Sequence, residues 1–252
     1  DLYIRGGGFD QTLLLVDGMK MDDVQTGHHT LNMILPLYLI ERIEIIKGPA
    51  ARIFGQNAFN GAINIVTKEF EGEKRTVNLN LNELSYGSFE QKNISLSTKI
   101  IGEKIKSLIS YSGNRSDGYR HNTDFKKNNY FIKTSFNSNN SPVDVIASFT
   151  ENKFGANGFY ASPSATEQYE ETQASLLGIK TTINSEKLSI TPRLYWRRGQ
   201  DEYIYIRDNP SVYRNLHKTN KVSAELSGSY FSNSGVTGFG LDLSTVNISS
   251  NN

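Results

Sequence analysis

The sequence contains no cysteine, which excludes disulfide bonds and thiolate metal sites. It also lacks an excess of either charge, because 27 basic residues are balanced by 26 acidic ones and leave a net charge of +1. A balanced charge gives no electrostatic reason to expect nucleic acid as a partner. No stretch has the form G-x-x-x-x-G-K-[ST], so nothing in the sequence indicates nucleotide binding.

Long apolar runs are missing as well. Near the start of the chain the longest run covers residues 13–16, whereas a membrane-spanning helix needs about 18 apolar residues or more. Transmembrane β-strands alternate apolar and polar residues and keep the mean hydropathy low. Composition therefore excludes a helical membrane protein but leaves strands that cross a membrane open.

The first 70 residues are predicted to form a small mixed α/β unit. Strands are expected at residues 13–16, 42–47 and 62–67, separated by glycine-rich turns. Pro36 suits the first turn of a short helix over residues 36–41, because its fixed φ matches that position. The three acidic residues Asp17, Asp22 and Asp23 lack the spacing of a calcium loop and are expected in a solvated loop.

From about residue 75 the apolar residues recur at every second position, the period of a β-strand with one apolar face. About nine such strands are predicted before residue 252. Pro192 weakens one of them, because it cannot donate a hydrogen bond to the ladder. The alternating sets include Val77/Leu79/Leu81, Ile94/Leu96, Tyr130/Ile132, Val143/Val145/Ala147, Leu177/Ile179, Leu194/Trp196 and Val222/Ala224/Leu226.

The connections between these strands alternate in length. Short links near residues 102–103, 137–142, 184–186 and 232–235 alternate with long ones near 114–128, 151–171 and 198–220. Tight turns at one end and long loops at the other are typical of outer-membrane barrels. Aromatic residues near the strand ends fit an interfacial girdle: Tyr111, Tyr130, Phe149, Tyr195, Trp196, Tyr230 and Phe231. A soluble all-β protein is the alternative, and an open sheet in lipid would need further strands beyond residue 252.

Four motifs in residues 1–70 resemble the plug domain of TonB-dependent outer-membrane receptors. They are Ile4-Arg5-Gly6, Leu14-Leu15-Val16-Asp17-Gly18, "IERIEIIKGP" at residues 40–49 and "GAINIVTK" at residues 61–68. The resemblance is strongest to the vitamin B12 and siderophore receptor group. It implies the carboxy-terminal part of a plug domain at residues 1–70, and the first strands of a 22-stranded transmembrane β-barrel at residues 71–252. A signal peptide and the TonB box are then expected upstream of residue 1.

Residues 48–68 are rich in glycine and amide side chains. If this is the last segment of a plug, we expect its amides to hydrogen-bond across a movable interface with the barrel wall. Arg42 and Glu44 share one face of a predicted strand, so they are expected to pair with each other or with wall charges.

The loop "MKMDDVQTGHHTLNM" is a candidate recognition surface, since plug loops at this place help to line the substrate pocket in the family. Aromatic and arginine residues of two long connections are candidates for its second half, because they provide contact area with little loss of flexibility. A structural loop, a girdle and loop-to-loop packing are the alternatives. The candidate ligand contacts are Gln25, His28, His29, Asn32, Phe159, Tyr160, Tyr203 and Arg207.

No metal site and no cofactor are predicted. Adjacent residues on a strand point to opposite sides, so His28 and His29 do not form a pair of ligands, and no third ligand follows at a suitable spacing. The sequence has no Ser-His-Asp order and no cysteine nucleophile, so we do not expect an enzyme.

The resemblance implies a receptor in the outer membrane of a Gram-negative bacterium that takes up a scarce nutrient, such as a ferric siderophore or cobalamin. The implied partners are the TonB-ExbB-ExbD complex, outer-membrane lipid and the nutrient itself. A passive porin-like channel and a soluble structural or adhesive protein are alternatives. The sequence leaves the cargo open, with peptides and glycans among the possibilities, and it does not address whether a bound metal or a surface lipoprotein takes part.

Overall fold

A computed structural model describes residues 2–25, 35–48, 54–55, 57–69, 75–137 and 141–251. They form two β-sheets. The first sheet has four strands in the order β2-β1-β4-β3, with β1 parallel to β4 and the other neighbours antiparallel. Its strands are β1 (Thr12–Val16), β2 (Met19–Lys20), β3 (Ile40–Lys47) and β4 (Gly61–Thr67).

The turn between β1 and β2 follows directly from the sequence. Asp17 and Gly18 both have positive φ, 48° and 82°, as a two-residue hairpin turn of the Asp-Gly type requires. All five residues of β1 are buried. The hairpin is therefore a tight unit whose turn is set by local chemistry.

The predicted helix at residues 36–41 is wrong. Pro36 precedes a single 3-10 turn, Leu37–Leu39, and Ile40 already begins β3 opposite Thr67 of β4. Pairing with β4 provides ladder hydrogen bonds that a short isolated helix lacks, so the tertiary partner overrides the local helix signal.

The second sheet runs in the order β14-β13-β12-β10-β9-β8-β7-β6-β5, with the short β11 beside β12. All neighbours are antiparallel. The strands are β5 (Thr76–Tyr86), β6 (Lys92–Ile101), β7 (Ile105–Ser116), β8 (Phe125–Phe136), β9 (Val143–Gly155), β10 (Tyr169–Thr181), β11 (Ile183–Asn184), β12 (Leu188–Ile204), β13 (Arg214–Ser232) and β14 (Gly235–Ser250).

The alternation of short and long connections is confirmed. One end of the sheet has the short connections at 102–104, 137–142, 185–187 and 233–234. The other end has the long connections at 117–124, 156–168 and 205–213, together with a short turn at 87–91. The strands are longer than expected, however, with 17 residues in β12 and 19 in β13. Tyr203 consequently lies in β12 and not in a loop.

The two faces of the second sheet differ in character. Residues that point towards the first sheet are largely polar and buried, such as Asn129, Lys133 and Thr172. The predicted apolar residues point to the other side, where Ile132, Leu177 and others are exposed. Polar-inside and apolar-outside is the pattern of a transmembrane barrel wall and the reverse of a soluble sandwich.

Two features of the second sheet, which forms the wall, differ from what the sequence predicts. Tyr195, expected in the aromatic girdle, is buried on the inner face. Pro192 lies well inside β12, where the ladder to the preceding strand is interrupted between the pairs Lys180/Arg193 and Ile183/Ile190. The sheet thus accommodates the missing N–H of proline at a break in the ladder.

The apolar core joins the two sheets. Leu14, Val16 and Met19 of the hairpin pack in one cluster with wall residues including Phe131 and Leu176. On its other side β1 packs Leu13 and Leu15 against Ala58 and Ala62. In the described part of the chain no helix is long and apolar enough to span a membrane. The boundary between two domains near residue 70 stays a prediction.

Candidate ligand-recognition surface and plug–wall contacts

The turn of the β1–β2 hairpin places a buried carboxylate against the wall. Asp17 Oδ2 lies 3.1 Å from Lys133 Nζ of β8, and both side chains are almost fully buried. Thr67 donates its backbone N–H and its hydroxyl to the same carboxylate, at 2.9 and 2.6 Å. Burial alone raises the pKa of Asp17, but the charges of Lys133 and Lys180 and the Thr67 hydrogen bonds outweigh it and lower the pKa. Asp17 is thus an ion-paired carboxylate, and the expected solvated loop is wrong here.

Three further ion pairs hold the strand β2 and the residues after it. Lys20 contacts Asp242 of β14 and lies 3.6 Å from Glu225 of β13. Asp22 accepts hydrogen bonds from Lys221 Nζ at 2.7 and 2.8 Å. The hairpin is therefore attached through charges of both signs to strands far along the chain.

Arg197 of β12 forms the next contact. Its guanidinium donates to the backbone carbonyl oxygens of Met21 and Asp22 and lies 4.0 Å from Asp23. Beyond it, Gln25 donates its side-chain amide to Asp201 Oδ2 at 2.9 Å. The contacts continue in sequence order from the turn to the last described residue of this segment.

Little space remains between Gln25 and the wall. The cavity there measures about 10 Å³ and is lined by Asp23, Gln25, Arg197, Asp201 and their neighbours. A volume of that size holds about one water molecule. The interface between residues 17–25 and the wall therefore leaves no room for a ligand larger than a water molecule.

On the side of this interface that is nearer the long connections, four aromatic rings form a continuous row. Phe159 and Tyr160 have ring centroids 4.8 Å apart, Tyr160 and Tyr203 are 5.6 Å apart, and Tyr203 and Tyr213 are 6.2 Å apart, all edge to face. Gln168 donates to the Tyr203 hydroxyl at 2.7 Å. The exposed ring of Phe159 leaves apolar surface available at the end of the row.

The Tyr160 hydroxyl stays protonated. Burial makes the largest contribution to raising the pKa of Tyr160, and the hydrogen bond to Glu170 and the negative charge of Glu170 raise it further. Because the phenol proton is donated to Glu170, Tyr160 offers a ligand the lone pairs of its hydroxyl oxygen. This acceptor suits a ligand that carries a hydrogen-bond donor.

Arg207 has a different environment. It forms two parallel hydrogen bonds to Asp124, at 2.5 and 2.9 Å, and its guanidinium lies 4.4 Å from the ring centroid of Tyr169. The hydrogen bonds from Arg207 lower the pKa of Asp124. In this arrangement Arg207 joins the connection 205–213 to the connection 117–124.

The structure thus brings some of the candidate residues together. Gln25 contacts Asp201, which lies on the same face of β12 as Tyr203, and Tyr203 contacts Tyr160. Arg207 belongs to the separate loop contact. The candidates His28, His29 and Asn32 lie outside the described residues. Among the residues described, no group of three or more His, Cys, Asp or Glu side chains could hold a metal ion.

Sequence reasoning missed the wall residues that contact the hairpin and the aromatic row. All but Gln168, which lies in the connection 156–168, occupy inward-facing positions of the strands, between the apolar residues that revealed those strands. The polar residues that alternate with the apolar ones in each strand mark its inward face, and this pattern could have identified them. The missed residues are Lys133, Gln168, Glu170, Arg197, Asp201, Lys221, Glu225 and Asp242.

The amide-rich segment also behaves differently from expectation. Asn60 donates to Gln11 at 2.7 Å and Asn64 donates to Glu44 at 2.9 Å, so these amides bond within the first sheet and not across to the wall. Arg42 pairs with Glu44 at 2.8 Å, as one of the two expected alternatives. The polar contacts with the wall come instead from the hairpin, from residues 22–25 and from the Tyr38 hydroxyl.

Residues 1–62 match the family model described as the TonB-dependent Receptor Plug Domain. The "Vitamin B12 transporter BtuB" of Vibrio vulnificus is 27% identical over 208 residues, which cover 80% of this chain and 33% of that transporter. Residues 1–62 belong to the plug-domain family of TonB-dependent receptors. The "Iron-regulated outer membrane virulence protein" of Vibrio cholerae is 40% identical to this chain over 75 residues, 27% of this chain and 12% of that protein. The chain spans about a third of the length of the vitamin B12 transporter it matches.

Solved structures show the same fold. The FrpB iron transporter from Neisseria meningitidis superposes with a TM-score of 0.75 at 16% identity, over 97% of this chain and 41% of that one. The siderophore receptor PirA from Pseudomonas aeruginosa gives 0.70 at 19% identity, over 99% and 43%. These likenesses confirm the predicted fold class, a small plug domain followed by antiparallel strands of a β-barrel, although the described part of the plug contains little helix. The relatives named here are transporters and receptors and not enzymes.

Proposed function

We propose that this chain is part of an outer-membrane receptor of a Gram-negative bacterium that takes up a scarce nutrient such as a ferric siderophore or cobalamin. The TonB-ExbB-ExbD complex would supply the energy for this uptake. The observation that carries the proposal is a hairpin bound inside a polar wall by ion pairs while the apolar face of that wall points outward. A passive channel would need an open lumen and not a domain held inside it by ion pairs.

In this proposal the nutrient binds at the long-connection end of the wall, on Phe159, Tyr160 and Tyr203. Gln25 links that surface to the hairpin through Asp201 at 2.9 Å. A ligand that competes for Asp201 or Tyr203 favours a different position of the plug, because a ligand shifts an equilibrium by its difference in affinity for the two states. His28, His29, Asn32 and Arg207 remain further candidate contacts.

Uptake of labelled cobalamin and ferric siderophores by cells that express the full-length receptor tests the proposal. We expect uptake of one of them, and its loss with a protonophore or in a strain without TonB. Tyr203→Ala should weaken binding of that nutrient by about tenfold or more, whereas Tyr119→Ala, which removes an exposed loop tyrosine away from the row, should leave it unchanged. Uptake that continues at the same rate in the presence of the protonophore would favour the passive channel. A full-length product that stays soluble without detergent would favour the soluble alternative.

A further inference from the structure

A lysine without a counter-charge among the described residues lies on the inward face of the wall. Lys127 of β8 is two residues from the buried Asn129, so both side chains point towards the first sheet. Lys127 is partly buried, and no carboxylate or hydrogen-bond acceptor of the described residues contacts its ammonium. An ammonium that is partly withdrawn from water is costly unless another group supplies negative charge or acceptors.

The carboxylates of the hairpin segment are paired with other lysines of the wall. Lys133 pairs with Asp17, and Lys221 pairs with Asp22. Lys127 lies six residues nearer the connection 117–124 than Lys133 does. These two ion pairs therefore leave the charge of Lys127 to a different partner.

Two amide side chains flank Lys127. Asn114 of β7 and Asn152 of β9 are directly opposite it in the ladder, and directly opposite residues share a face with Cβ atoms about 4.5 to 5.5 Å apart. Both amides are partly buried, and neither hydrogen-bonds to another residue that the structure describes. One ammonium and two amides thus present N–H donors at the same height on three adjacent strands.

The same row of residues continues across the wall to the plug. Asn152 is opposite Thr172 of β10, and Thr172 is opposite Asp201 of β12. Asp201 accepts the hydrogen bond from Gln25. Lys127 therefore lies at the level where the last described residue of the hairpin segment meets the wall.

Aromatic side chains border Lys127 on the side of the long connections. Phe125 precedes Lys127 by two residues and Phe154 follows Asn152 by two, so both rings belong to the inward face. The two phenylalanines are directly opposite each other and partly exposed. A ligand that contacts Lys127 can therefore place an apolar part against them.

We infer that Lys127, Asn114 and Asn152 bind an oxyanion of the nutrient, either a carboxylate or a phosphate. An adjoining apolar part of the nutrient would contact Phe125 and Phe154. Hydrogen bonds between an ammonium and an anion are about twice as strong as neutral ones, so Lys127 selects a nutrient that carries negative charge. The inference rests on the proposed uptake function and narrows its nutrient to an anionic one.

The test measures how fast an amine-reactive reagent acylates Lys127 in the full-length receptor in detergent, by mass spectrometry of its peptides. Phenyl phosphate and benzoate are the anionic probes, and phenol is the neutral control. We expect at least one anion at millimolar concentration to slow acylation of Lys127 by about fivefold or more. Lys126, the preceding residue on the exposed outward face, is the internal control and should react at an unchanged rate.

The two anions distinguish the two oxyanion chemistries, because stronger protection by benzoate favours a carboxylate and stronger protection by phenyl phosphate favours a phosphate. The variant Asn152→Ala should weaken the protection by about threefold, since it removes one amide donor. Unchanged acylation of Lys127 with both anions would overturn the inference. So would equal slowing of Lys126, which would indicate general screening of charge, or an equal effect of phenol.

The uptake assay separates this inference from the proposed function. Uptake of cobalamin or a ferric siderophore that depends on the proton gradient, in a receptor whose Lys127 neither anion protects, would contradict the oxyanion site alone. Protection of Lys127 in a receptor without such uptake would support the oxyanion site and contradict the proposed function.

Discussion

Asp17 connects local sequence chemistry to the attachment of the plug. The Asp-Gly turn requires a small residue that tolerates positive φ, and aspartate satisfies this requirement. The same side chain then meets Lys133, 116 residues further along the chain, in a buried pair. Because both charges are out of water, removal of one partner leaves the other uncompensated. The residue therefore serves the turn and the plug–wall contact together.

The substitution Asp17→Asn should loosen the hairpin from the wall, by about 3 to 5 kcal/mol if the pair behaves as other buried pairs do. The chain has no cysteine, so Ala62→Cys, at a buried position of the first sheet, reports the loosening through its rate of thiol labelling in urea. Glu44→Gln is the control, because it breaks an exposed ion pair worth about 0 to 1 kcal/mol. Equal labelling rates in the two variants would mean that the buried pair does not hold the hairpin.

Among the elements, the long connections have a defined structure because their own side chains tie them together. Arg207 of the connection 205–213 binds Asp124 at the end of the connection 117–124 through two hydrogen bonds. Asn122 adds bonds from its amide to the backbone of residues 166 and 168 in a third connection. Three connections thus form one joined rim near the aromatic row.

The substitution Arg207→Lys should loosen this rim, because an ammonium cannot reproduce the two parallel hydrogen bonds. We expect faster amide hydrogen exchange in residues 117–124 and 205–213, corresponding to a loss of about 1 kcal/mol. Arg214→Lys is the matched control, since Arg214 pairs with Glu202 at the end of two strands and outside these connections. Unchanged exchange in residues 117–124 would show that Arg207 does not hold the two connections together.

At the scale of the whole molecule, the face of the second sheet that carries the apolar residues distinguishes a membrane protein from a soluble one. The wall places charged and hydroxyl side chains towards the plug and leaves apolar side chains outside. In water this arrangement would expose an apolar band, whereas in a bilayer it buries that band in lipid. A membrane protein and a soluble sandwich therefore make opposite predictions for a charge on the outer face.

The substitution Leu194→Arg tests this orientation. Leu194 is exposed near the middle of the outward face of β12, so an arginine there should destabilise the protein in lipid vesicles by about 2 to 4 kcal/mol. Leu188→Arg, on the same face of the same strand but at its short-turn end, should cost about 0 to 1 kcal/mol. Urea titrations of full-length receptor folded into vesicles measure both. Equal costs at the two positions would argue against a membrane-spanning β12.

Local sequence determined the strands, their apolar face, the Asp-Gly hairpin turn and the alternation of short and long connections, because strand period and turn chemistry involve neighbouring residues only. The motifs of residues 1–70 also indicated the family. The helix expected after Pro36 does not form, because Ile40 pairs with the distant strand β4 and begins a β-ladder. Expectations failed where a partner far along the chain decided the outcome.

The tertiary structure alone decided which charges meet. The contacts of Asp17 with Lys133 and of Gln25 with Asp201 depend on the register of the strands and on the position of the plug within the wall. A shift of one residue in register would turn these side chains to the other face. Register is set by the summed packing of many distant residues, so the candidate sites appear only when the sheet is assembled around the plug.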